Sequence, residues 1–325
     1  MPTDAGAELE AFFDSSGKYS AREETIVSVS GCLSTQRKWQ EFDAAWQATL
    51  SSEGFQQDVK TSRYIFHASP FHSGNCRYMP KSVSVTARQR IYKKLLFLIR
   101  EHILFKVSCA VRLSDYNQII RDFPHSDEGL LSSPGEYAFR LCIALATSWA
   151  YKNGFDPWLN CVIDRNEYYW GKLLLRYLKT RKAYPNKLAL RSLNDGNKAQ
   201  FSGLQAADVL AWESRKYFLS NNPAQIDKNT DLPHPEWQII SNVQDDTEIH
   251  LFTYSKMYEH LSGLLESTLN EHPDKSKLID EGRLCDTRDD LLRGVLAKLH
   301  EKREEKKYAD LAKWRARKSP SKGKY

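Results

Sequence analysis

The sequence predicts an α/β fold, a mixed sheet flanked by helices, on three observations. Short β-rich apolar runs come early, at 9–13 and 25–33, and read as a hairpin or meander. Later runs at 158–163 and 188–193 alternate with helical patterns, as parallel strands require. The run WLNCVI at 158–163 has no polar alternation, which marks a strand covered on both faces.

Taken in order, LEAFF at 9–13 is a strand ending at Asp14, and TIVSVSGCL at 25–33 is its neighbour. Trp39, Phe42, Ala45, Trp46 and Thr49 recur at helical spacing, so 35–50 is an amphipathic helix. RYIFHA at 63–68 reads as a strand, and the Ser-, His- and Pro-containing stretch 69–82 as a loop. A helix over 86–103 turns Ile91, Leu95, Leu98, Ile99 and Ile103 inward, and FKVSCAVRL at 105–113 alternates as a strand does. Ser133, Pro134 and Glu136 form a helix start, and the mostly apolar helix from 134 to 152 stops at Asn153-Gly154. A helix over 166–181 follows the 158–163 strand. Ser202 and Gln205 read as a capping box opening the helix 203–218. Beyond a loop at 220–235, the stretches 237–243 and 248–254 suggest a hairpin, and 255–269 and 288–316 suggest helices. The expected division is a main domain over 1–220, an extension over 221–286, and a basic helix with a disordered tail over 287–325, which makes the C-terminal extension mainly helical.

With 325 residues, 41% of them hydrophobic and 27% charged, the chain is neither collagen-like nor low-complexity. Its net charge of +6 is unevenly placed. Residues 298–325 hold 11 Lys/Arg against 4 Asp/Glu, which leaves 36 basic and 37 acidic side chains in the rest. A near-neutral body thus carries a basic tail, and overall charge alone gives no case for nucleic-acid binding by the body. The six cysteines form no CxxC pair. Cys109, Cys142 and Cys161 lie in apolar runs, and a reducing cytoplasm is expected. The polar, acidic N-terminus carries no secretory signal, and no apolar run approaches the roughly 18 residues of a membrane span.

Three aspartates look placed rather than solvating. Asp14 ends the first strand, Asp164 ends the most apolar one, and Asp208 shares a helix face with Leu204, Ala211 and Trp212. An ionised carboxylate on an apolar stripe needs a partner. Converging carboxylates suit a hard cation such as Mg²⁺, or Mn²⁺, with oxygen ligands. A pair of such ions can activate water and stabilise a leaving oxygen. Each residue also has a plainer reading: Asp14 as a turn residue, Asp164 as a helix cap, and Asp208 as the partner of Arg191 or Arg215.

Other features carry less. His67, His72 and Cys76 lack the further ligand pair that a zinc site needs. Arg77, Lys81, Arg88, Arg90, Lys93 and Lys94 form a basic strip, readable as a phosphate-contacting surface or as a solvated helix face. Tyr168, Tyr169 and Trp170 follow Asp164 and suit either base stacking or packing. Lys198 precedes the Asp208 helix and could neutralise a phosphate. Tyr308 and Trp314 sit among the tail's Lys and Arg. The chain lacks GxGxxG, Walker, HExxH and GxSxG motifs.

Four segments together resemble a known family. FFDSSG (12–17) resembles an opening strand that runs into Asp-Glu-Ser-Gly. IFHASPF (65–71) resembles a middle Phe-His-Ala/Met motif. VIDRNEYY (162–169) is similar to an acidic residue after a late strand, and LQAADVLAWESRKY (204–217) to a closing Leu-Gln-Ala-Asp helix. The family is the prokaryotic one catalogued as domain of unknown function 3800, of the ribonuclease H-like superfamily, and the likeness spans about 9–218. It implies a ribonuclease H-like domain and a metal-dependent nuclease or related phosphodiester-processing enzyme acting on DNA or RNA. Asp14, Asp164 and Asp208 would hold Mg²⁺ or Mn²⁺ and His67 would assist a leaving group. Ser15 stands where the family usually has Glu, and Pro70 near a usual acidic position. Both changes remove charged oxygens; Glu167 or Glu213 could supply a fourth ligand, although Glu213, five residues past Asp208, does not share its helix face. Against this stands a non-catalytic member that binds nucleic acid or a protein partner, as in mobile-element or defence loci. A third reading is an assembly protein that docks a partner through its C-terminal helix.

Overall fold

The computed structural model describes residues 7–17, 25–79, 83–124, 131–156, 158–183, 190–220, 240, 247–270, 297, 304–306 and 308–310. They form an α/β architecture. The strands are β1 (Leu9–Ser16), β2 (Ile26–Thr35), β3 (Phe105–Arg112), β4 (Leu159–Asp164), β5 (Leu190–Gly196) and β6 (Thr247–Phe252). The helices are α1 (Gln36–Ser52), α2 (Ala68–His72), α3 (Val85–His102), α4 (Leu113–Asp122), α5 (Pro134–Lys152), α6 (Trp170–Ala183), α7 (Ser202–Ser220) and α8 (Tyr254–Asn270). None of the described helices is long and apolar enough to cross a membrane.

The six strands make one mixed sheet in the order β5-β4-β1-β2-β3-β6. β1, β2 and β3 are the antiparallel meander that the early runs predict. β4 pairs with β1 and β5 with β4 in parallel, each reached through a helix, as the later alternation predicts. β1 and β2 sit at the centre, covered on both faces, and strand alternation sorts their side chains between two helical layers. On one face Phe12 meets Trp39 of α1, with ring centroids 4.8 Å apart, and the backbone of Gly203 in α7. On the other, Phe13 meets Phe139 of α5 at 5.0 Å. Three buried serines on β2 face the helical layers without orphaned hydroxyls. Ser28 donates to Ala211 O, Ser34 donates to His102 O, and Ser30 Oγ lies 2.7 Å from Ser108 Oγ.

Five expectations need correction. Residues 63–68 are not a strand; apart from a single bridge between Gln57 and Tyr64 they are unpaired with the sheet. Their backbone is satisfied by side-chain amides instead: Gln47 bonds both Tyr64 N–H and Tyr64 O, and Gln205 accepts from Phe66 N–H. The 69–82 loop contains the short helix α2. The helix expected from 166 starts at Trp170, because Asn166 and Glu167 turn back on Asp164. The capping box at Ser202 is absent. The Ser202 hydroxyl accepts from Gln47 and Arg63, while Gln205 points elsewhere. Of the expected hairpin, 248–254 supplies β6, but β6 lies parallel to β3, and 237–243 falls outside the described residues apart from Ile240. The sheet therefore takes its sixth strand from beyond residue 220.

The chain divides into two compact units, Met1–Leu113 with Pro134–Phe252, and Ser114–Ser133 with Thr253–Tyr325. In the second, the Tyr254 phenol donates to Asp122 at 2.9 Å, and Tyr258 packs on Phe123. Most of the basic tail lies outside the described residues. Everything below concerns the first unit.

Candidate functional site

The two strand-end aspartates are brought together by register. β1 and β4 run parallel with Phe12 opposite Val162 and Phe13 opposite Ile163, so Asp14 and Asp164 follow side by side near the C-terminal ends of adjacent strands; Asp164 is the last residue of β4, whereas β1 does not end at Asp14 but continues to Ser16, paired with β2. Period-two alternation puts both on the face that carries Phe12, which is the face covered by α7. α7 then delivers Asp208 from above, one helical turn after Leu204. In open α/β sheets this end of the parallel strands is where ligands bind.

At the centre stands Lys198, on the turn between β5 and α7. Its Nζ lies 2.6 Å from Asp14 Oδ2, 3.2 Å from Asp208 Oδ1 and 3.7 Å from Asp164 Oδ2. The other oxygen of each carboxylate accepts from a backbone N–H: Asp14 Oδ1 from Ser15, Asp164 Oδ1 from Asn166, and Asp208 Oδ2 from Ala68. Three aspartates from three elements thus each fix one oxygen on the backbone and turn the other to one cationic point. The plainer readings of Asp14 and Asp164 describe only half of each side chain. The suggested Arg191 partner of Asp208 is overturned, since Arg191 pairs with Glu8 and Asp156.

A fourth carboxylate, Glu167, enters from the β4–α6 turn. Its Oε1 accepts from Ser15 N–H at 2.9 Å and its Oε2 from the Ser15 hydroxyl at 2.7 Å. Glu213, the other proposed substitute, is not part of the site. It is fully buried elsewhere on α7, taking the Tyr92 phenol at 2.7 Å and Lys216.

The electrostatics follow from three aspartates around one lysine, with Glu167 close enough to act on Asp14. Burial pushes the Asp14 carboxyl well above its ordinary value; Lys198 pulls it back, and Asp208, Glu167 and Asp164 push it up again. Burial likewise raises Glu167, which the bonds from Ser15 oppose. For Lys198, burial works against the charge, but Asp14, Asp208 and Asp164 outweigh it and hold the ammonium protonated above its ordinary value.

His67 sits at the edge. It immediately precedes α2, whose first N–H, from Ala68, is the one bound to Asp208. Its Nδ1 is 3.9 Å from Asp208 Oδ2, and its side chain is 39% exposed. Burial and the nearby Lys198 hold its pKa below the ordinary histidine value, opposed by Asp208 and Asp164.

Sequence reasoning missed the residue that organises all this. Gln205, fully buried, uses its whole hydrogen-bonding capacity. Its Oε1 accepts from Trp46 Nε1 at 2.8 Å and Phe66 N–H at 2.9 Å. Its Nε2 donates to Tyr64 O at 3.2 Å and Lys198 O at 2.7 Å. One amide ties α7 to α1, to the segment carrying His67, and to the turn carrying Lys198. The available signal was its place three residues before Asp208, within a helix otherwise apolar on that side.

The other candidates scatter. Arg88 bonds Phe71 O and His72 O, and Arg90 and Lys94 pair with Glu53. Arg77 stacks over Tyr78, Lys93 is exposed, and Lys81 lies outside the described residues. His72 stacks on Trp212 and Cys76 is buried, away from any zinc-like grouping. Tyr169 is buried, whereas Tyr168 is half exposed. Cys32, Cys76, Cys109, Cys142 and Cys161 are all buried and free.

Among the described residues, no group of three or more His, Cys, Asp or Glu side chains is placed so that it could hold a metal ion. The donor set nevertheless suits a hard cation: all oxygen, each carboxylate pre-oriented by a backbone N–H, with the Lys198 ammonium as stand-in ion. Neither the protein-family models nor the curated proteins include a match to this chain.

Proposed function

We propose that the protein is a metal-dependent nuclease, or a related phosphodiester-processing enzyme, of ribonuclease H-like type, in line with the resemblance to domain of unknown function 3800. The observation that carries the reading is the turning of one oxygen each from Asp14, Asp164 and Asp208 to a single cationic point. These aspartates would hold Mg²⁺ or Mn²⁺, and Glu167 adds the carboxylate that Ser15 does not supply. When bound, the ion supplies Lewis-acid stabilisation of a phosphodiester and lowers the pKa of a bound water. The chain's own residues do the rest. Gln205 and the Ala68 N–H hold the loop and Asp208 in register, and His67, partly exposed beside Asp208, would assist the leaving group. DNA or RNA is the proposed substrate, with Arg77 and Lys93 as exposed contacts to its phosphates.

The test is Asp208→Asn, which keeps size and removes charge. Cleavage of single- and double-stranded DNA and RNA with Mg²⁺ or Mn²⁺ should fall at least 100-fold, and cleavage at the wild-type rate sinks the assignment. The position of Lys198 favours a second reading, a non-catalytic protein of the same fold that binds nucleic acid or a protein. An ammonium that never yields leaves no place for a divalent ion, and calorimetry with Mn²⁺ separates the two.

A further inference from the structure

Lys198 is the feature that the proposed chemistry does not use, and its geometry is specific. Its ammonium touches all three aspartates, within 4 Å of each, although the sequence separates Asp14 from it by most of the domain. Its backbone is pinned, because Lys198 O accepts from the buried Gln205 amide at 2.7 Å. Its side chain is 13% exposed, so the four-carbon stem reaches the carboxylates from a partly open side. A lysine stem rotates among many rotamers, and its head is a compact, strongly hydrated charge.

We propose that Lys198 is the site's resident counter-ion. It holds Asp14, Asp164 and Asp208 in position while no divalent cation is bound, and it swings out to admit one. The proposal rests on the metal reading above. Its physical basis is competition for the same three oxygens. Asp14, Asp164 and Asp208 set three carboxyl groups against one ammonium, with Glu167 as a fourth beside Ser15. Removing the lysine altogether would leave like charges facing one another across a buried site, which is costly. The ammonium thus keeps the aspartates preorganised in the empty state. A divalent ion offers twice the charge at shorter range, so it can replace the ammonium. Its apparent affinity is reduced by the fraction of molecules in which Lys198 still occupies the centre. The device also selects by charge, since a monovalent ion gains nothing over the ammonium already present.

The experiment compares Mn²⁺ binding by the full-length wild-type chain and Lys198→Met, by calorimetry and by thermal melting with and without Mn²⁺. The variant is expected to melt lower than wild type in chelator, to bind Mn²⁺ at least tenfold more tightly, and to show the larger Mn²⁺-induced rise in melting temperature. Equal affinities in the two proteins would overturn the counter-ion role and leave the metal reading standing. Weaker binding by a folded variant would do the same, since Lys198 would then assist the ion. Absence of Mn²⁺ binding in both folded proteins would remove the metal reading and this inference together. Should Lys198→Met fail to fold, amine-reactive labelling of the wild-type protein, read by mass spectrometry, decides the matter. Saturating Mn²⁺ is expected to raise Lys198 modification severalfold, and unchanged modification would overturn the proposal.

Discussion

Replacing Gln205 with Leu tests whether one buried amide assembles the site. Leu has nearly the same volume, so the substitution removes polarity without opening a cavity. It orphans Trp46 Nε1, Phe66 N–H and Lys198 O, and takes one of the two side-chain bonds from Tyr64 O. A buried polar group left unpaired costs about 1–3 kcal/mol. Tyr64 O keeps its bond from Gln47, so three groups count fully. Local relaxation favours the lower end of the range for each, and the expected loss is about 3–5 kcal/mol. The assay is urea unfolding followed by far-UV circular dichroism, read as a fall in midpoint at constant slope. The melting temperature should drop by roughly 6–20 °C, at about 2–4 °C per kcal/mol for a domain of this size. Mn²⁺ binding should weaken as well, because the Lys198 turn and the His67 segment lose their shared anchor. A loss under about 1 kcal/mol, or undiminished Mn²⁺ affinity, would refute the argument that Gln205 organises the site.

Two further outcomes follow from the same geometry. Asp14→Asn should raise the melting temperature at pH 8 in chelator while abolishing Mn²⁺ binding. The folded protein holds the Asp14 carboxyl above its ordinary value, so the stability linked to this group is full below about pH 3.8 and is lost as pH rises through the folded value. Asparagine mimics the neutral form and escapes that loss, and the advantage should shrink as the pH is lowered toward 4. An asparagine variant that melts lower than wild type at pH 8 would contradict the sign. Gly203→Ala should destabilise by about 1–3 kcal/mol, because the new methyl would meet the Phe12 ring at 2.3 Å and overpack the α7–β1 contact. A chemical denaturation midpoint within error of wild type would show that the ring moves aside freely.

The parts of the fold visible in the sequence are those where local pattern and tertiary setting agree. The mostly apolar β4, the meander, and α1 with Trp39, Phe42 and Trp46 facing inward are all legible from spacing alone. The segment at 63–68 misleads because its β-rich composition describes a backbone that needs partners without saying which. Here two glutamine side chains take the role of a neighbouring strand. Of the hairpin expected from 237–243 and 248–254, only the second stretch lies among the described residues, and its partner was not legible. Apolar alternation identifies a strand but not its neighbour, and β6 finds β3 from a long way along the chain. The three aspartates could be picked out singly, as acids at strand ends or on an apolar helix face. Their common focus could not, because it is set by the β1–β4 register and by a lysine in a turn that carries no periodic signal.

The charge balance of the acidic cluster is what supports the functional reading proposed above over a purely structural one. An aspartate that serves only a turn or a helix end has both oxygens available for backbone N–H groups and water. Asp14, Asp164 and Asp208 each give the backbone one oxygen and direct the other at the same ammonium. A buried ion pair that merely held the turn to the sheet would need one acid for one lysine. Extra acids add desolvation and mutual repulsion with no structural return. The pressure is visible in the raised values of Asp14 and Glu167, both of which sit where burial and like charge act together. Proteins keep such internally opposed groups where a ligand relieves the opposition. The ligand that would relieve this one has more positive charge than an ammonium and prefers oxygen. On the proposed metal reading, the same excess predicts that Asp14→Asn will gain stability and lose the ion in one step.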